Sequence, residues 1–277
     1  AEYSAMDTSS FGTGQLIKAA IDAGAKTIVV GLGGSATVDC GMGALLALGV
    51  KFFGKNGEIN EGTGRNAGSV VSIDATDASA LLKDVCILFL SDVETPLIGQ
   101  EGAARIFGPQ KGATSSDVEI LDENLSHFAS VLFQTTGKDV LKLKGGGAAG
   151  GIAASFHSLF NTKIENGAQY IIEKANLLKY ATCCDIIVTG EGRIDNSTFK
   201  GKLPGEILKI GTEIDKPVYA ICGSMDLYVD HGFNDVICLV AYTSDEKKAI
   251  ACAKEIVKKS SFELAGKLLK NYERELH

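Results

Sequence analysis

Glu191, Arg193, Asp195, Lys200 and Lys202 follow one another in a short glycine-bearing stretch, Val188-Thr-Gly-Glu-Gly-Arg-Ile-Asp195 and residues 196–202. Carboxylates can hold a divalent cation or take a proton. A guanidinium can grip a carboxylate or phosphate through two parallel hydrogen bonds, and ammonium groups can neutralise charge that develops during group transfer. The apolar run Asp185-Ile-Ile-Val-Thr189 predicts a buried parallel strand that empties into this charged loop. Ligands in open α/β sheets sit at the carboxyl ends of strands, which makes the loop a candidate site. The competing reading is a solvated, salt-bridged loop.

Three glycine-rich loops could hold an anion. They are Gly31-Leu-Gly-Gly-Ser-Ala-Thr37, Gly145-Gly-Gly-Ala-Ala-Gly-Gly151 and Ser9-Ser-Phe-Gly-Thr-Gly14. Each precedes an expected helix and offers amide N–H groups with no Cβ in the way. None is a P-loop or a dinucleotide fingerprint. Close helix packing is the alternative for residues 145–151, whereas Ser35 and Thr37 add hydroxyls to the first loop. Lys111, in Gly108-Pro-Gln-Lys-Gly112, is a cation that could neutralise phosphate, or else a surface turn lysine. Asp92 ends the apolar run 85–90 and would suit Mg²⁺, which takes one or two carboxylates plus phosphate oxygens; an Asx-type turn before Pro96 is the alternative. No Cys/His or Ser/His nucleophile pairing is evident. Glycine loops, aimed carboxylates and cations fit phosphoryl transfer, where catalysis is mostly positioning and charge neutralisation.

The elements that must position these groups alternate. Periodicity predicts helices over residues 15–22, 41–48, 115–132, 152–160, 167–180 and 204–211, and one or two helices from Ser244 to the C-terminus. Ser116 and Glu119 stand at capping-box spacing for the third. Val118, Leu121, Leu125, Phe128, Ala129 and Leu132 form its apolar face, and Ala249, Ala253, Ile256 and Val257 that of the last. Strands are expected at 27–32, 50–53, 70–73, 85–90, 185–189, 217–222 and 236–240, with loops over 61–69 and 99–114. This alternation implies a parallel sheet.

Composition bounds the class. The chain has 277 residues, 45% apolar and 22% charged, with net charge −7. That is enough for one large or two ordinary domains, and the acidic balance argues against nucleic-acid and anionic-membrane partners. Seven cysteines show no Cys-x-x-Cys spacing and sit mostly in apolar runs, so reduced buried thiols in a cytoplasmic protein are expected. The histidines, His127, His157, His231 and His277, pair with no cysteine in a metal spacing. No apolar run reaches membrane-spanning length and no secretory signal is present.

Taken in order, Ser10-Phe-Gly-Thr-Gly-Gln-Leu-Ile17, Gly31 to Thr37, Asp39, Phe107-Gly-Pro-Gln-Lys-Gly-Ala113, Gly147-Ala-Ala-Gly-Gly151 and Thr189-Gly-Glu-Gly-Arg-Ile-Asp195 resemble the bacterial glycerate kinase family of the two-domain, glyoxylate- and glucarate-pathway type. The resemblance implies a flavodoxin-like parallel-sheet domain, with a second α/β domain inserted in it and a cleft between them. It assigns residues 1–184 to the inserted domain and 185–277 to the C-terminal part of the flavodoxin-like one. Family members begin with a strand and an Asp-Ser-Phe-Lys-like segment that this sequence lacks, so the chain is expected to be N-terminally incomplete and its second sheet to lack strands. Val38, Cys40, Glu94-Thr95 and Lys144-Gly145 also depart from the family pattern.

The implied activity is ATP- and Mg²⁺-dependent phosphorylation of D-glycerate, usually at the 2-hydroxyl, by a cytoplasmic enzyme, a homodimer being one possibility. Asp195 is then the general base, Arg193 the clamp on the glycerate carboxylate, and Asp92 or Glu191 the Mg²⁺ ligand. Gly33, Gly34, Ser35 and Thr37, with Gly146, Gly147, Gly150 and Gly151, would cradle nucleotide phosphates, and Lys111 or Lys202 would neutralise charge. Two readings compete: a non-catalytic remnant that binds a nucleotide or an acid, and a sugar-phosphate isomerase or phosphatase.

Overall fold

The computed structural model describes residues 4–243 and 245–275. Ser244 and His277, named above, lie outside the described residues. The chain divides into two compact units, Ala1–Gly167 and Ala168–His277.

The first unit runs α1 (Phe11–Asp22), β1 (Thr27–Gly31), α2 (Met42–Ala47), β2 (Lys51–Gly54), β3 (Gly57–Ile59), α3 (Gly64–Ala67), β4 (Ser72–Asp74), α4 (Thr76–Leu82), β5 (Cys86–Leu90), α5 (Ala103–Phe107), α6 (Ser115–Thr136), α7 (Ile152–Leu159) and β6 (Thr162–Glu165). A parallel sheet has the order β1-β5-β6, with Val29 beside Leu88 and Phe89 beside Ile164. A separate antiparallel sheet has the order β3-β2-β4. Phe52 meets Phe128 at 5.6 Å between ring centroids, and Phe89 meets Phe156 edge-on at 5.3 Å, which ties sheet to helix in one core. The expected apolar face of α6 is buried throughout.

Several local expectations shift. The cap of α6 is Thr114, which exchanges hydrogen bonds with Asp117, so the reciprocal box lies two residues before the Ser116–Glu119 pair. Thr114 wins because its backbone is extended, as a capping residue requires. The expected loop at 61–69 contains α3, capped by the Thr63 hydroxyl, and the stretch 99–114 contains α5 and a 3₁₀ turn at Pro109–Lys111. These elements are too short for a periodicity signal.

The second unit contains most of α8 (Gly167–Lys174), then α9 (Leu177–Ala181), β7 (Ile187–Ile194), α10 (Leu203–Glu213), β8 (Val218–Met225), β9 (Asp235–Cys238), α11 (Glu246–Ala251) and α12 (Ala253–Glu275). Its parallel sheet has the order β7-β8-β9. The expected helix over 167–180 breaks at Asn176, which adopts φ 55°. Ile172 and Leu177 pack on this unit's core, so α8 and α9 fall with it, whereas the division expected from sequence lies at residue 185. The buried stripe of α12 is Ile256, Ser260 and Leu264, whereas Val257 is exposed.

β7 departs most from expectation. It continues through Gly190 to Ile194, so Glu191 and Arg193 are strand residues paired with Cys222 and Ser224 rather than loop residues. It is also not a buried strand, since it stands at the end of its sheet and Val188 is half exposed. The seven cysteines are free, but only Cys40 and Cys222 are buried; Cys86, Cys183, Cys184 and Cys252 are exposed.

Candidate active site

In the first unit, the carboxyl ends of β1 and β5 open on a pocket of about 240 Å³. It is lined by residues 32–35, Asp92, Phe107, Gln110, Lys111 and Ala149, among others. A second pocket of about 230 Å³ shares residues 32–35 and adds Ser10, Thr13 and Thr37. The glycine loop is thus the common wall of both, at the strand ends where ligands of open sheets sit.

The loop is held by its acceptors. Lys111 Nζ donates to Ser35 Oγ at 2.9 Å and to the Thr37 carbonyl at 2.8 Å, and the Thr8 hydroxyl donates to the Ala36 carbonyl at 2.8 Å. The amides of residues 33–37 donate to no other protein group among the described residues. A Cβ on Gly33 or Gly34 would meet nothing within 4 Å, and Gly34 adopts φ 73°, which favours glycine. A run of unused N–H groups bordering a pocket is what an anion needs.

The helix N-termini expected to assist are already occupied. Asp39, fully buried, accepts from the Ser10 amide at 2.8 Å, the Ser10 hydroxyl at 2.7 Å, the Gly41 amide at 3.0 Å and the Gly43 amide at 3.2 Å. One carboxylate therefore satisfies the starts of α1 and α2, and the Ser9–Gly14 turn serves this internal link. Burial pushes the Asp39 carboxyl up, against the pull of its four donors.

Residues 145–151 contribute little to the pocket wall beyond Ala148 and Ala149. Gly146, Gly147, Gly150 and Gly151 are buried. A Cβ on Gly147 would stand 2.1 Å from the Pro96 carbonyl oxygen, and one on Gly150 2.1 Å from that of Thr37. Backbone packing, the alternative weighed for this stretch, is what these glycines permit. Gly150 thereby supports the Thr37 carbonyl that Lys111 grips.

Lys111 is only 5% exposed. Its ammonium stands 5.8 Å from the Phe107 ring centroid, and burial lowers its pKa to about 8. It is neither the mobile cation nor the surface turn residue that sequence suggested. Asp92 lines the same pocket, with Oδ1 placed 2.9 Å from where a Gly167 Cβ would be. The described residues hold no cluster of three or more His, Cys, Asp or Glu able to bind a metal unaided. A hard cation at Asp92 would complete its shell from phosphate oxygens and water, which is how Mg²⁺ is commonly held, so the donor set fits it.

In the second unit the charged residues form a local network. Arg193 pairs with Asp226 through Nε and Nη2, and this exposed pair holds the guanidinium high in pKa. Asp195 accepts from the Ser197 hydroxyl and amide. The Ser197 hydroxyl bond, above all, holds its carboxyl below the usual range. Fully buried Thr198 donates to Glu191 Oε1 at 2.5 Å and accepts from the Asp195 amide at 3.1 Å. Lys202 is the residue before α10, and its charge further lowers the Asp195 pKa.

Sequence reading missed Thr198, Asp226 and the hub role of Asp39. Asp226 carried a usable signal, an acid just after a strand, as at Asp92. Thr198 carried none, because its hydroxyl gains meaning only when the turn brings Glu191 and Asp195 to it.

Comparison with known proteins bears on the same motifs. The model of the glycerate kinase family matches residues 1–269. A glycerate kinase of Halalkalibacterium halodurans is 38% identical over 84% of this chain and 62% of its own length. The glycerate 2-kinase of Escherichia coli is 38% identical over 94% of this chain and 70% of its own. A solved structure described as "putative glycerate kinase 2" from Salmonella typhimurium LT2 superposes with a TM-score of 0.77 at 35% identity, covering 98% of this chain and 71% of that one. The chain thus spans 62 to 70% of the length of these two curated relatives. Among the described residues, no helix is long and apolar enough to cross a membrane. The strand-end pocket with its glycine wall, and sequence agreement along nearly the whole chain, lead to one conclusion: this chain belongs to the glycerate kinase family.

Proposed function

We propose that the protein transfers the γ-phosphoryl group of ATP to D-glycerate. The observation that carries this reading is the strand-end pocket of a glycerate kinase family chain, lined together by residues 33–35 with their unused amides, Lys111 and Asp92. Amides and ammonium suit phosphate oxygens. Asp92 would hold Mg²⁺ together with the nucleotide, where the ion would supply neutralisation of phosphate charge. Glu191 is the alternative carboxylate for that ion.

In the second unit we assign Asp195 as the acceptor of the hydroxyl proton. Its lowered pKa keeps it ionised at neutral pH, and Ser197 fixes its direction. Arg193, aligned by Asp226, is assigned to the glycerate carboxylate through its fork geometry, and Lys202 to charge neutralisation. The name of the E. coli relative, glycerate 2-kinase, supports the 2-hydroxyl as acceptor. A cytoplasmic location and a homodimer complete the proposal; light scattering tests the latter.

The test is ADP release with ATP, Mg²⁺ and D-glycerate, with the product's mass and phosphate position determined. Asp195→Asn is expected to lower turnover about 10²–10⁴-fold. Nucleotide-dependent thermal stabilisation without any ADP release would identify a binding remnant instead.

A further inference from the structure

The loop at residues 33–37 must keep its amides available without help from its own side of the backbone. Its side-chain restraints all act on oxygens: Ser35 Oγ and the Thr37 carbonyl are held by Lys111, and the Ala36 carbonyl by Thr8. Its two glycines touch nothing that a Cβ could displace. Lys111 therefore supplies two of these three restraints, from 76 and 74 residues away in sequence. The ammonium is buried against the Phe107 ring and makes no ion pair among the described residues. The charge that acts on it is that of Asp39, whose oxygens are already engaged by Ser10, Gly41 and Gly43.

We infer that Lys111 is a positioning residue, which grips the oxygens of residues 35 and 37 so that the amides of the loop stay open to a phosphate group. This rests on the reading of the loop as the nucleotide phosphate site. A lysine used mainly as a ligand for phosphate would extend a free ammonium into the pocket. Here two of its three donors are committed to the loop. Thr8 and Gly150 act in the same sense, the first holding the Ala36 carbonyl and the second allowing the Thr37 carbonyl to approach.

The test combines hydrogen exchange of residues 31–38 in the ligand-free protein with calorimetric binding of ADP, for the wild type, Lys111→Met, Lys111→Arg and Ser35→Ala. Lys111→Met is expected to raise loop exchange about tenfold, with β1 and β5 unchanged, and to weaken ADP about tenfold, the equivalent of one buried hydrogen bond. Ser35→Ala, which keeps the lysine, is expected to loosen the loop to a smaller extent, and it serves if Lys111→Met fails to fold. Unchanged loop exchange in both variants overturns the inference. Weaker ADP binding with an unchanged loop also overturns it, since Lys111 would then act on the ligand by charge alone. A loosened loop with unchanged ADP affinity upholds the positioning and instead refutes the phosphate-site reading.

A pH profile adds a readout that packing alone would not move. With Lys111 titrating at about 8 through burial, loop protection in the wild type should hold or rise above that pH, because the neutral amine keeps two N–H donors for the two loop oxygens and no longer carries a buried charge. No such rise is expected in Lys111→Arg, because arginine stays charged. Asp39 is the other charged group that acts on Lys111, and Asp92 lines the same pocket; both are present in Lys111→Arg, so their influence is common to the two profiles. A loss of wild-type loop protection above that pH, absent from Lys111→Arg, overturns the inference, since charge rather than donated hydrogen bonds would then hold the loop.

Discussion

Thr198 Oγ1 donates to Glu191 Oε1 at 2.5 Å and accepts from the Asp195 amide at 3.1 Å. One buried hydroxyl therefore sets the relation between a strand residue and a turn residue, both candidates for chemistry. Removing it leaves a half-buried amide and a carboxylate oxygen without this partner. Thr198→Val is expected to cost about 1–3 kcal/mol in urea unfolding and to lower turnover, while Thr198→Ser restores both.

The glycines divide by what surrounds them. A Cβ at Gly33 meets open space, whereas one at Gly150 meets the Thr37 carbonyl at 2.1 Å, at a backbone angle of +73°. Gly33→Ala should unfold within about 1 kcal/mol of wild type, yet weaken ADP if the loop amides approach phosphate closely. Gly150→Ala should lose more than about 2 kcal/mol and disturb the Lys111 contact as well. Equal stability of the two variants in denaturant titrations would contradict this division.

Lys111 makes stability depend on pH with a definite sign. Its ordinary value is 10.5 and burial lowers it to about 8 in the folded chain. Below about 8 both folded and unfolded forms carry the proton, and the cost of burying the charge is constant. Between about 8 and 10.5 the unfolded chain binds more protons, so this group adds stability as pH rises. The wild type should gain against Lys111→Met across that interval in urea titrations at stepped pH, and remain parallel to it from pH 6 to 7.

The Arg193–Asp226 pair is exposed on both sides, so it should matter for catalysis and hardly for stability. Asp226→Asn is expected to leave the unfolding midpoint unchanged and to raise the KM for D-glycerate. Arg193→Lys should do the same more strongly, because a point charge cannot make the forked contact. A stability loss without a KM effect would assign the pair a structural role.

Asp195 should give no activity limb near neutrality. Its carboxyl is held low by the Ser197 hydroxyl, so it is ionised throughout the usual assay range. Ser197→Ala should shift any acid limb of kcat/KM upward, a change read from the rate profile between pH 3.5 and 6.

Much of the fold was legible because local spacing determines it. The apolar face of α6, the strand–loop–helix order around residues 27–48 and the alternation after residue 185 all follow from periods of 3.6 and 2. Short elements such as α3, α4 and β6 went unread because four to seven residues do not establish a period. In sequence, Glu191 and Arg193 read as loop residues because glycines and charges break the apolar run. In the structure, pairing with Cys222 and Ser224 carries the strand past them.

By itself the sequence determined which chemical groups the protein has, in what order, and hence its family. It could not determine which donors remain free. That depends on partners far apart in the chain: Asp39 closes two helix starts by reaching Ser10 across 29 residues, and Lys111 reaches the loop across 76. A glycine-rich stretch looks the same in sequence whether its missing Cβ admits a ligand or a neighbouring backbone. Packing alone separates them: open space at Gly33 and Gly34, carbonyl oxygens at Gly147 and Gly150. Tertiary structure thus turned three similar loops into one anion-ready wall, one helix junction and one packing seam.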